Sequence, residues 1–170
     1  MAKFHVSAVT NLIIDVANEV DINLTNLKLQ KILFFINGMY YASRSDVLFE
    51  QEMRAWKYGP IIPEIYYEFK RFGSGSLNQT KSCIFDDPEA QDASVLDISP
   101  KHDEYNVIEV VCRLLLTKSA SDLVNMSHRN DSPWHRCYND KNLSDIIKFE
   151  NKDKQFFTSI IDDFYNAYAN

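Results

Sequence analysis

Two stretches at the start of the chain carry apolar residues every three or four positions, which is the period of an α-helix. The first, residues 5–20, has a single apolar face. The second, residues 25–43, begins at Thr25, a residue type that favours the N-cap position, and is apolar nearly all round. A helix apolar on every side is buried on every side, so we predict that this second helix lies at the centre of the fold.

A loose alternation replaces the helical period in residues 49–56 and predicts a short extended segment. The Tyr-Gly-Pro sequence of residues 58–60 predicts a turn. Gly59 can adopt a positive φ there, although a residue before proline is more easily extended. Pro63 favours the first turn of a third helix, which we expect to end at the glycine- and serine-rich residues 73–76.

The second half of the chain contains three serine-led helix starts. Ser99 and Ser132 each precede a proline, which predicts an N-cap followed by the first helical residue. Ser119 with Asp122 resembles a capping box. We place the start of the last helix near Asn151, and its spacing predicts an inner side made of Phe156, Phe157, Ile160, Ile161, Phe164, Tyr165 and Tyr168.

The region between these halves is weakly patterned. Residues 82–85 are predicted to form a second short strand that pairs with the first, and residues 86–94 a polar, acidic loop. The chain as a whole has only four glycines and five prolines, which favours long helices over a many-turned β-sandwich. We therefore predict a mainly α fold with a small antiparallel β element (α+β), in one compact domain over residues 1–170.

The net charge and its distribution along the sequence indicate which classes of binding partner are expected. The net charge is −6, and Lys and Arg number nine against eight Asp and Glu in residues 1–81, but nine against sixteen in residues 82–170. No run of basic residues exists, which argues against nucleic acid as the main ligand. The acidity suits a partner with a basic face. The start of the chain lacks the apolar core of a signal peptide and no apolar run is long enough to span a membrane, so we expect a cytoplasmic protein.

Few residues indicate chemistry. His128, His135 and Cys137 are the nearest approach to a metal-binding set, but their spacing matches no known zinc signature. For His128 we prefer a structural role, a hydrogen bond that fixes the turn between two short helices. A small metal-dependent hydrolase that uses His128 and His135 is the weakest alternative that we retain.

A cysteine nucleophile paired with histidine has as little support. Cys83 or Cys137 with His102 or His135 would supply the residue types, yet neither cysteine lies in a nucleophile elbow or protease motif. The three cysteines are widely spaced and form no CxxC pair, so neither a disulfide framework nor a zinc knuckle is indicated. We predict no catalytic residue, no metal and no cofactor.

Two segments depart from ordinary core or surface composition. In residues 27–31, Lys28 and Lys31 lie on a helix that is otherwise apolar, and we expect their charged ends to reach solvent or meet carboxylates while their stems pack. In residues 56–60, Trp56 reads as core, whereas Tyr58 beside the predicted turn has the character of an exposed interface anchor.

These segments carry a family resemblance. The sequence LTNLKLQKILFFINGMYYA, followed by FEQEMRAWKYGPIIPEIYYEFKRFG, resembles the paired signature of the Panacea domain, also described as SocA-like or GepA-like and common in bacterial prophages. The later SASDLVNMSHRNDSPWHRCY resembles that family's Leu-Ser, His and Pro-Trp segment. Three blocks in the right order cover nearly the whole chain.

The resemblance implies an antitoxin that neutralises a toxic protein by direct contact. One branch of the family acts instead as an adaptor that delivers its toxin to a ClpXP-type protease, and this is our alternative. Some members carry an added DNA-binding segment. Because this chain reaches its first helix almost at once, we expect no helix-turn-helix in front of it.

The site predictions combine the residue patterns with this resemblance. We expect the partner-binding surface to include Lys28, Lys31, Tyr58 and Pro60. We expect the scaffold that presents it to include Leu27, Gln30, Trp56, Gly59, Pro63, His128, Pro133 and Trp134.

Overall fold

The structure is a computed structural model, and it describes residues 2–83, 98–140 and 144–170. Seven α-helices and three short strands follow one another in these ranges. The order is α1 (Val6–Glu19), α2 (Asn26–Arg44), β1 (Met53–Trp56), β2 (Gly59–Ile61), α3 (Pro63–Phe69), α4 (Tyr105–Leu116), α5 (Ala120–Ser127), α6 (Pro133–Asn139), β3 (Ile146–Ile147) and α7 (Lys154–Ala169). The predicted α+β class, mainly helical with a small antiparallel sheet, is confirmed.

Helix α2 is the central element, as predicted. It packs against α1, α3, α4, α5, α7 and β2. Thr25 is its N-cap, and the Thr25 hydroxyl accepts a hydrogen bond from the Lys28 backbone N–H at 3.3 Å. The side chains from Lys28 to Met39 are all buried, so the helix has no solvent-facing side over three turns.

Helix α7 packs closely on α2. The Phe34 and Phe157 rings lie 5.4 Å apart between centroids, and both side chains are fully buried. Gly38 makes this approach possible, because a Cβ at that position would come within 2.0 Å of the Phe157 ring. Each such ring contributes about 1.5–3 kcal/mol through its burial, so the α2–α7 contact is a main source of stability.

The sheet differs from its prediction. Strands β1 and β2 form a hairpin whose two-residue turn is Lys57–Tyr58, and Trp56 pairs with Gly59. Residues 58–60 were predicted as the turn, but Gly59 and Pro60 belong to β2. The third strand, β3, adds to the other edge of β1, giving the order β2-β1-β3. Only two residues long, β3 carries too little pattern to be found in the sequence.

The predicted strand at residues 82–85 is wrong where it can be tested. Ser82 and Cys83 are not in a strand, while the rest of that segment and the predicted loop at 86–94 lie outside the described residues. Ser82 instead binds side chains: its hydroxyl donates to Glu68 at 2.7 Å, and its backbone N–H donates to Asn11 at 2.8 Å. These bonds take the place of strand pairing.

Helix starts were predicted with mixed success. Ser119 and Asp122 form the predicted capping box at α5, and the Ser132 hydroxyl caps α6 ahead of Pro133. The predicted start at Ser99 is wrong, because α4 begins only at Tyr105 after successive turns. There the Ser99 backbone N–H donates to His102 Nδ1 at 3.1 Å, and turn hydrogen bonds replace an N-cap. The last helix starts at Lys154, after a 3₁₀ turn at Asn151–Asp153.

Candidate functional site

Several polar side chains of α2 are buried, and they hold the neighbouring segments in place. Gln30 Oε1 accepts a hydrogen bond from the Ile62 backbone N–H at 2.8 Å, which positions the entry to α3. Gln30 Nε2 donates to Asn26 Oδ1 at 2.9 Å, and Asn26 Nδ2 donates to the Tyr66 carbonyl at 3.1 Å. A buried amide that satisfies buried backbone groups fixes a relative position as well as a contact. Gln30 is therefore part of the scaffold for α3.

Lys31 is the most unusual of these residues, since its side chain is fully buried. Its ammonium nitrogen donates to the Pro60 carbonyl at 3.1 Å. Burial without a carboxylate partner among the described residues penalises the charged form, so the pKa of Lys31 falls to about 7. Lys31 ties the centre of α2 to strand β2.

Lys28 makes a similar bond at the end of another helix. Its ammonium nitrogen donates to the carbonyl of Leu116, the last residue of α4, at 2.7 Å. Carbonyls at a helix C-terminus lack intrahelical partners and carry partial negative charge, so a cation is favourable there. Burial lowers the pKa of Lys28.

The prediction that both lysine side chains reach solvent or meet carboxylates is therefore wrong. Lys28 and Lys31 neither reach solvent nor meet carboxylates; each ends on a backbone carbonyl inside the protein. The sequence shows that the two lysines are neighbours on the helix surface. It does not show the carbonyls that accept their hydrogen bonds, which are 29 residues from Lys31 and 88 residues from Lys28. Leu27, in the first turn of α2, is 40% exposed.

Gly59 leaves room for the Lys31 side chain. A Cβ on Gly59 would lie 2.6 Å from Lys31 Cε and 2.8 Å from the Ser127 hydroxyl. Gly59 also has a φ of 104°, a conformation that L side chains rarely adopt. Two independent requirements, backbone conformation and close approach, therefore select glycine. The predicted scaffold role of Gly59 has this physical basis.

A stack of rings supports the hairpin from the other side. His128, at the end of α5, lies face to face with Trp134 of α6 at 3.8 Å between centroids, and Tyr138 stacks on the far face of Trp134 at 4.6 Å. The indole N–H of Trp134 donates to the Trp56 carbonyl at 2.8 Å. This bond fixes α6 to the last residue of β1.

The predicted hydrogen bond from His128 is wrong, and the ring stacks on Trp134 instead. Its Nε2 is buried without a hydrogen-bond partner in the part of the chain that the structure describes. The turn between α5 and α6 is closed instead by Ser132, whose hydroxyl donates to the Ser127 carbonyl at 2.7 Å. Burial and the nearby Lys31 charge lower the pKa of His128, so the ring that stacks on Trp134 is neutral at pH 7.

Two observations concern the residues considered above for metal binding and catalysis. Among residues 2–83, 98–140 and 144–170, no three His, Cys, Asp or Glu side chains come close enough to hold a metal ion. Burial raises the pKa of Cys137, which is the opposite of the shift that activates a thiol nucleophile. No described helix has the length and apolar character needed to cross a membrane.

Above this buried base, aromatic side chains are exposed at the hairpin tip and on α3. Tyr58 and Tyr67 are 63% and 58% exposed. Trp56, predicted as core, is only partly buried, and its ring contacts Tyr66 edge-on at 5.1 Å and Tyr67 at 6.1 Å. Lys57 lies over the Tyr58 ring at 5.5 Å. We call Trp56, Lys57, Tyr58 and Tyr67 the hairpin surface.

The four residues predicted to bind a partner are thus separated by depth. Tyr58 lies on the hairpin surface, whereas Lys28, Lys31 and Pro60 are buried below it. Of the scaffold residues, Pro63 is the first residue of α3 and Pro133 that of α6. Gln30 bonds to Ile62, just before α3, and Trp134 bonds to Trp56 at the end of β1.

Two residues of the buried network, Asn26 and Asn37, were not predicted from the sequence. Asn26 holds Gln30 and α3, and Asn37 Oδ1 accepts hydrogen bonds from the Leu48 and Phe49 backbone N–H groups at 2.8 and 3.3 Å. Both are amides on a helix apolar nearly all round. A buried polar group requires a partner, and that requirement is the signal that could have identified them.

Comparison with known proteins identifies the family of this chain. Residues 29–135 match the family described as Antitoxin SocA-like, Panacea domain, and this range contains Lys31, the hairpin and the His128–Trp134 stack. The chain is 37% identical over 132 residues to Antitoxin SocA of Caulobacter vibrioides (strain NA1000 / CB15N), a match that covers 75% of this chain and 66% of the relative's length. No solved structure gives a significant match. The chain belongs to the SocA-like antitoxin family that is defined by the Panacea domain.

Proposed function

We propose that this chain is a cytoplasmic, non-enzymatic antitoxin, one Panacea domain that neutralises a cognate toxin by direct protein–protein contact. Membership of the family and the similarity to Antitoxin SocA support the antitoxin role. The hairpin surface supports direct contact. Exposed tyrosines on a rigid base are typical of interface hot spots, because they bury a large area and lose little conformational entropy.

The observation that carries the proposal is the fixed base beneath Tyr58. Lys31 holds β2 through the Pro60 carbonyl, and Trp134 holds β1 through the Trp56 carbonyl. Both strands of the hairpin are thereby anchored within two residues of the turn. A surface fixed in its bound form avoids part of the entropy cost of association.

Lys28, Lys31 and Pro60 act on the partner indirectly in this proposal. All three are buried in the free chain: Lys31 holds the hairpin through the Pro60 carbonyl, Lys28 bonds to the end of α4, and Tyr58 makes the contact. Tyr67, which sequence reasoning did not select, joins it on the same surface. The partner does not need to open the fold to reach these rings.

The test is co-expression with the toxin encoded beside this gene. The wild-type chain should restore growth and co-purify with the toxin. Replacing Tyr58 and Tyr67 together by alanine should weaken the complex at least tenfold, whereas the Tyr58→Phe, Tyr67→Phe control, which keeps both rings, should retain it. Absence of both rescue and complex with the wild-type chain would refute the proposal.

The same assay separates neutralisation from delivery to a protease. In a host that lacks the ClpXP-type unfoldase, direct neutralisation predicts unchanged rescue. Loss of rescue in that host, with the complex still formed, would show that the chain is an adaptor.

A further inference from the structure

Positive charge accompanies the exposed rings of the hairpin surface. The Lys57 ammonium nitrogen lies 5.5 Å from the centre of the Tyr58 ring, and that of Lys70, which directly follows α3, lies 5.7 Å from the centre of the Tyr67 ring. The Trp56 ring contacts Tyr67 at 6.1 Å and joins the two cation–ring pairs. Both lysines and both tyrosines are exposed. The surface is therefore aromatic and cationic at once.

The chain does not neutralise these cations itself. Neither Lys57 nor Lys70 forms an ion pair within residues 2–83, 98–140 and 144–170, and the same holds for Arg71, the exposed residue next to Lys70. Arg54 in β1, by contrast, binds two carboxylates. A cation without a carboxylate partner keeps its field for a molecule that approaches from solvent.

The carboxylates of α3 are bound by other segments. Glu64 pairs with His5 Nε2 at 3.2 Å, at the start of α1. Glu68 accepts hydrogen bonds from the Ser82 hydroxyl at 2.7 Å and from the Cys83 backbone N–H at 2.8 Å. These contacts direct the acidic groups of α3 towards α1 and residues 82–83, while its tyrosine and the lysine that follows it face the hairpin tip.

We propose that the hairpin surface, together with Lys70, binds an acidic face of the toxin. Asp or Glu side chains of the toxin meet the two lysines, and its apolar atoms cover the tyrosine rings. The inference rests on the proposed function, since it states the chemistry of the same contact. Opposite charges across an interface speed the encounter and fix its orientation.

The sign of this surface is opposite to that of the whole chain. Net charge suggested a partner with a basic face, but the excess of acid lies in residues 82–170, with nine Lys and Arg against sixteen Asp and Glu. Residues 1–81, which contain the hairpin and α3, have nine against eight. Net charge adds surfaces that the toxin does not touch, so the local charge decides the partner's chemistry.

Single-stranded nucleic acid is the rival occupant, because cations beside exposed rings also hold phosphates and bases. Its affinity grows with the number of phosphates that the protein neutralises. This surface offers two lysines and a neighbouring arginine, on a chain with a net charge of −6 that repels a phosphate backbone. An acidic protein face needs only a few matched pairs, and it is the occupant that these charges favour.

Association kinetics of the purified full-length chain with the toxin test the charge. Lys57→Glu with Lys70→Glu should slow association by about tenfold at low salt, and the difference should shrink at high salt. The matched control, Lys101→Glu with Lys148→Glu, makes the same change in net charge at two exposed lysines outside the surface and should associate nearly like the wild type. Equal rates for the two variants, or faster association of the hairpin variant, would overturn the proposal.

A milder variant guards against a disturbed turn. Lys57→Gln with Lys70→Gln removes both charges without adding new ones, and it should slow association by a smaller factor than the glutamate pair. Circular dichroism checks that each variant has the helix content of the wild type. An unchanged association rate in the folded glutamine variant would also overturn the proposal.

Charge reversal in the toxin locates the acidic face. Each surface Asp and Glu of the toxin is replaced in turn by Lys and titrated with the wild-type chain and with the Lys57→Glu, Lys70→Glu chain. At least one toxin variant should bind the wild-type chain more weakly, and the charge-reversed chain more tightly, than the unaltered toxin does. If no toxin variant shows this exchange of preference, the proposal is wrong.

Fluorescence anisotropy with a labelled single-stranded oligonucleotide tests the rival. Oligonucleotide binding that depends on Lys57 and Lys70, with toxin affinity that does not, would overturn the proposal. If the wild-type chain and the toxin form no complex, the proposed function itself fails. If they form one whose association rate ignores the charge of the hairpin surface, this inference fails alone.

Discussion

Lys31→Met tests the buried ammonium group on which the hairpin depends. Methionine has a side chain of similar length without a charge, so it can occupy the same space. In the folded chain burial lowers the pKa of Lys31 from 10.5 to about 7, and in the unfolded chain the ordinary value applies. At 1.36 kcal/mol per pKa unit, this difference costs the wild type about 5 kcal/mol of stability at pH 7.

The substitution also removes a favourable contact. The Pro60 carbonyl loses its donor, which costs about 1–3 kcal/mol. The desolvation cost is larger, so we expect Lys31→Met to be more stable than the wild type at pH 7 by about 2–4 kcal/mol. The hairpin, in contrast, should be held less firmly, and its amide protons should exchange faster.

The lowered pKa of Lys31 also determines how the stability of the wild type changes with pH. Between pH 7 and 10.5 the unfolded wild type is protonated at Lys31 and the folded form is not, so wild-type stability rises with pH across this range. The advantage of the methionine variant should therefore shrink from pH 7 upwards by about 1.4 kcal/mol per pH unit and reverse between about pH 8.5 and pH 10. Below pH 7 both states are protonated and the difference should be constant.

Urea unfolding of both proteins at several pH values between 6 and 10 measures this difference. Subtracting one curve from the other removes the titration of every other group. A difference in stability that stays constant from pH 7 to pH 10 would refute the reasoning, because it would mean that folded Lys31 titrates as a solvated lysine. A methionine variant less stable than wild type at pH 7 would show that the carbonyl contact outweighs desolvation.

Three further substitutions test separate parts of the scaffold. Gly38→Ala should lower the free energy of unfolding by about 2 kcal/mol, because overpacking against the Phe157 ring costs more than alanine gains in helix propensity. Thermal unfolding measures this change, and an increase in stability would contradict the close approach of α7 to α2. Gly59→Ala should destabilise the fold by more than its positive φ alone demands, because the new Cβ would lie 2.6 Å from Lys31 Cε. The loss should be smaller in a Lys31→Ala background, where the Cδ and Cε atoms beside the new Cβ are removed. An equal loss in both backgrounds would show that backbone strain is the whole effect. Trp134→Phe keeps a ring stacked on His128 but has no N–H to donate to the Trp56 carbonyl. Toxin affinity should fall, with little change in helix content by circular dichroism. Unchanged affinity would show that this hydrogen bond does not contribute to toxin binding.

How much could be predicted from the sequence differs between the helices and the site. Helical period and capping residues predicted α1, α2, α5, α6 and α7, because these signals are local. A strand that pairs with β1 was predicted at residues 82–85. The two strands that do pair with it are Gly59–Ile61 and Ile146–Ile147, and strands of two or three residues have almost no pattern of their own.

The candidate site could be predicted only in part, because its contacts join residues that are distant in sequence. Lys28 and Lys31 could be selected as unusual residues, but the carbonyls that receive them are distant in sequence, and only the fold brings them together. The exposed half of α7 was predicted as buried because periodicity reports which residues share a face and cannot report what covers that face.

Reconstitution with purified components tests the central claim most directly. The toxin's own activity is measured while the antitoxin chain is added, with no ATP and no protease present. Direct neutralisation predicts that activity falls to zero at a fixed molar ratio, and that Tyr58→Ala with Tyr67→Ala shifts the titration to higher concentration. Full toxin activity at a large excess of correctly folded wild-type chain would contradict the account.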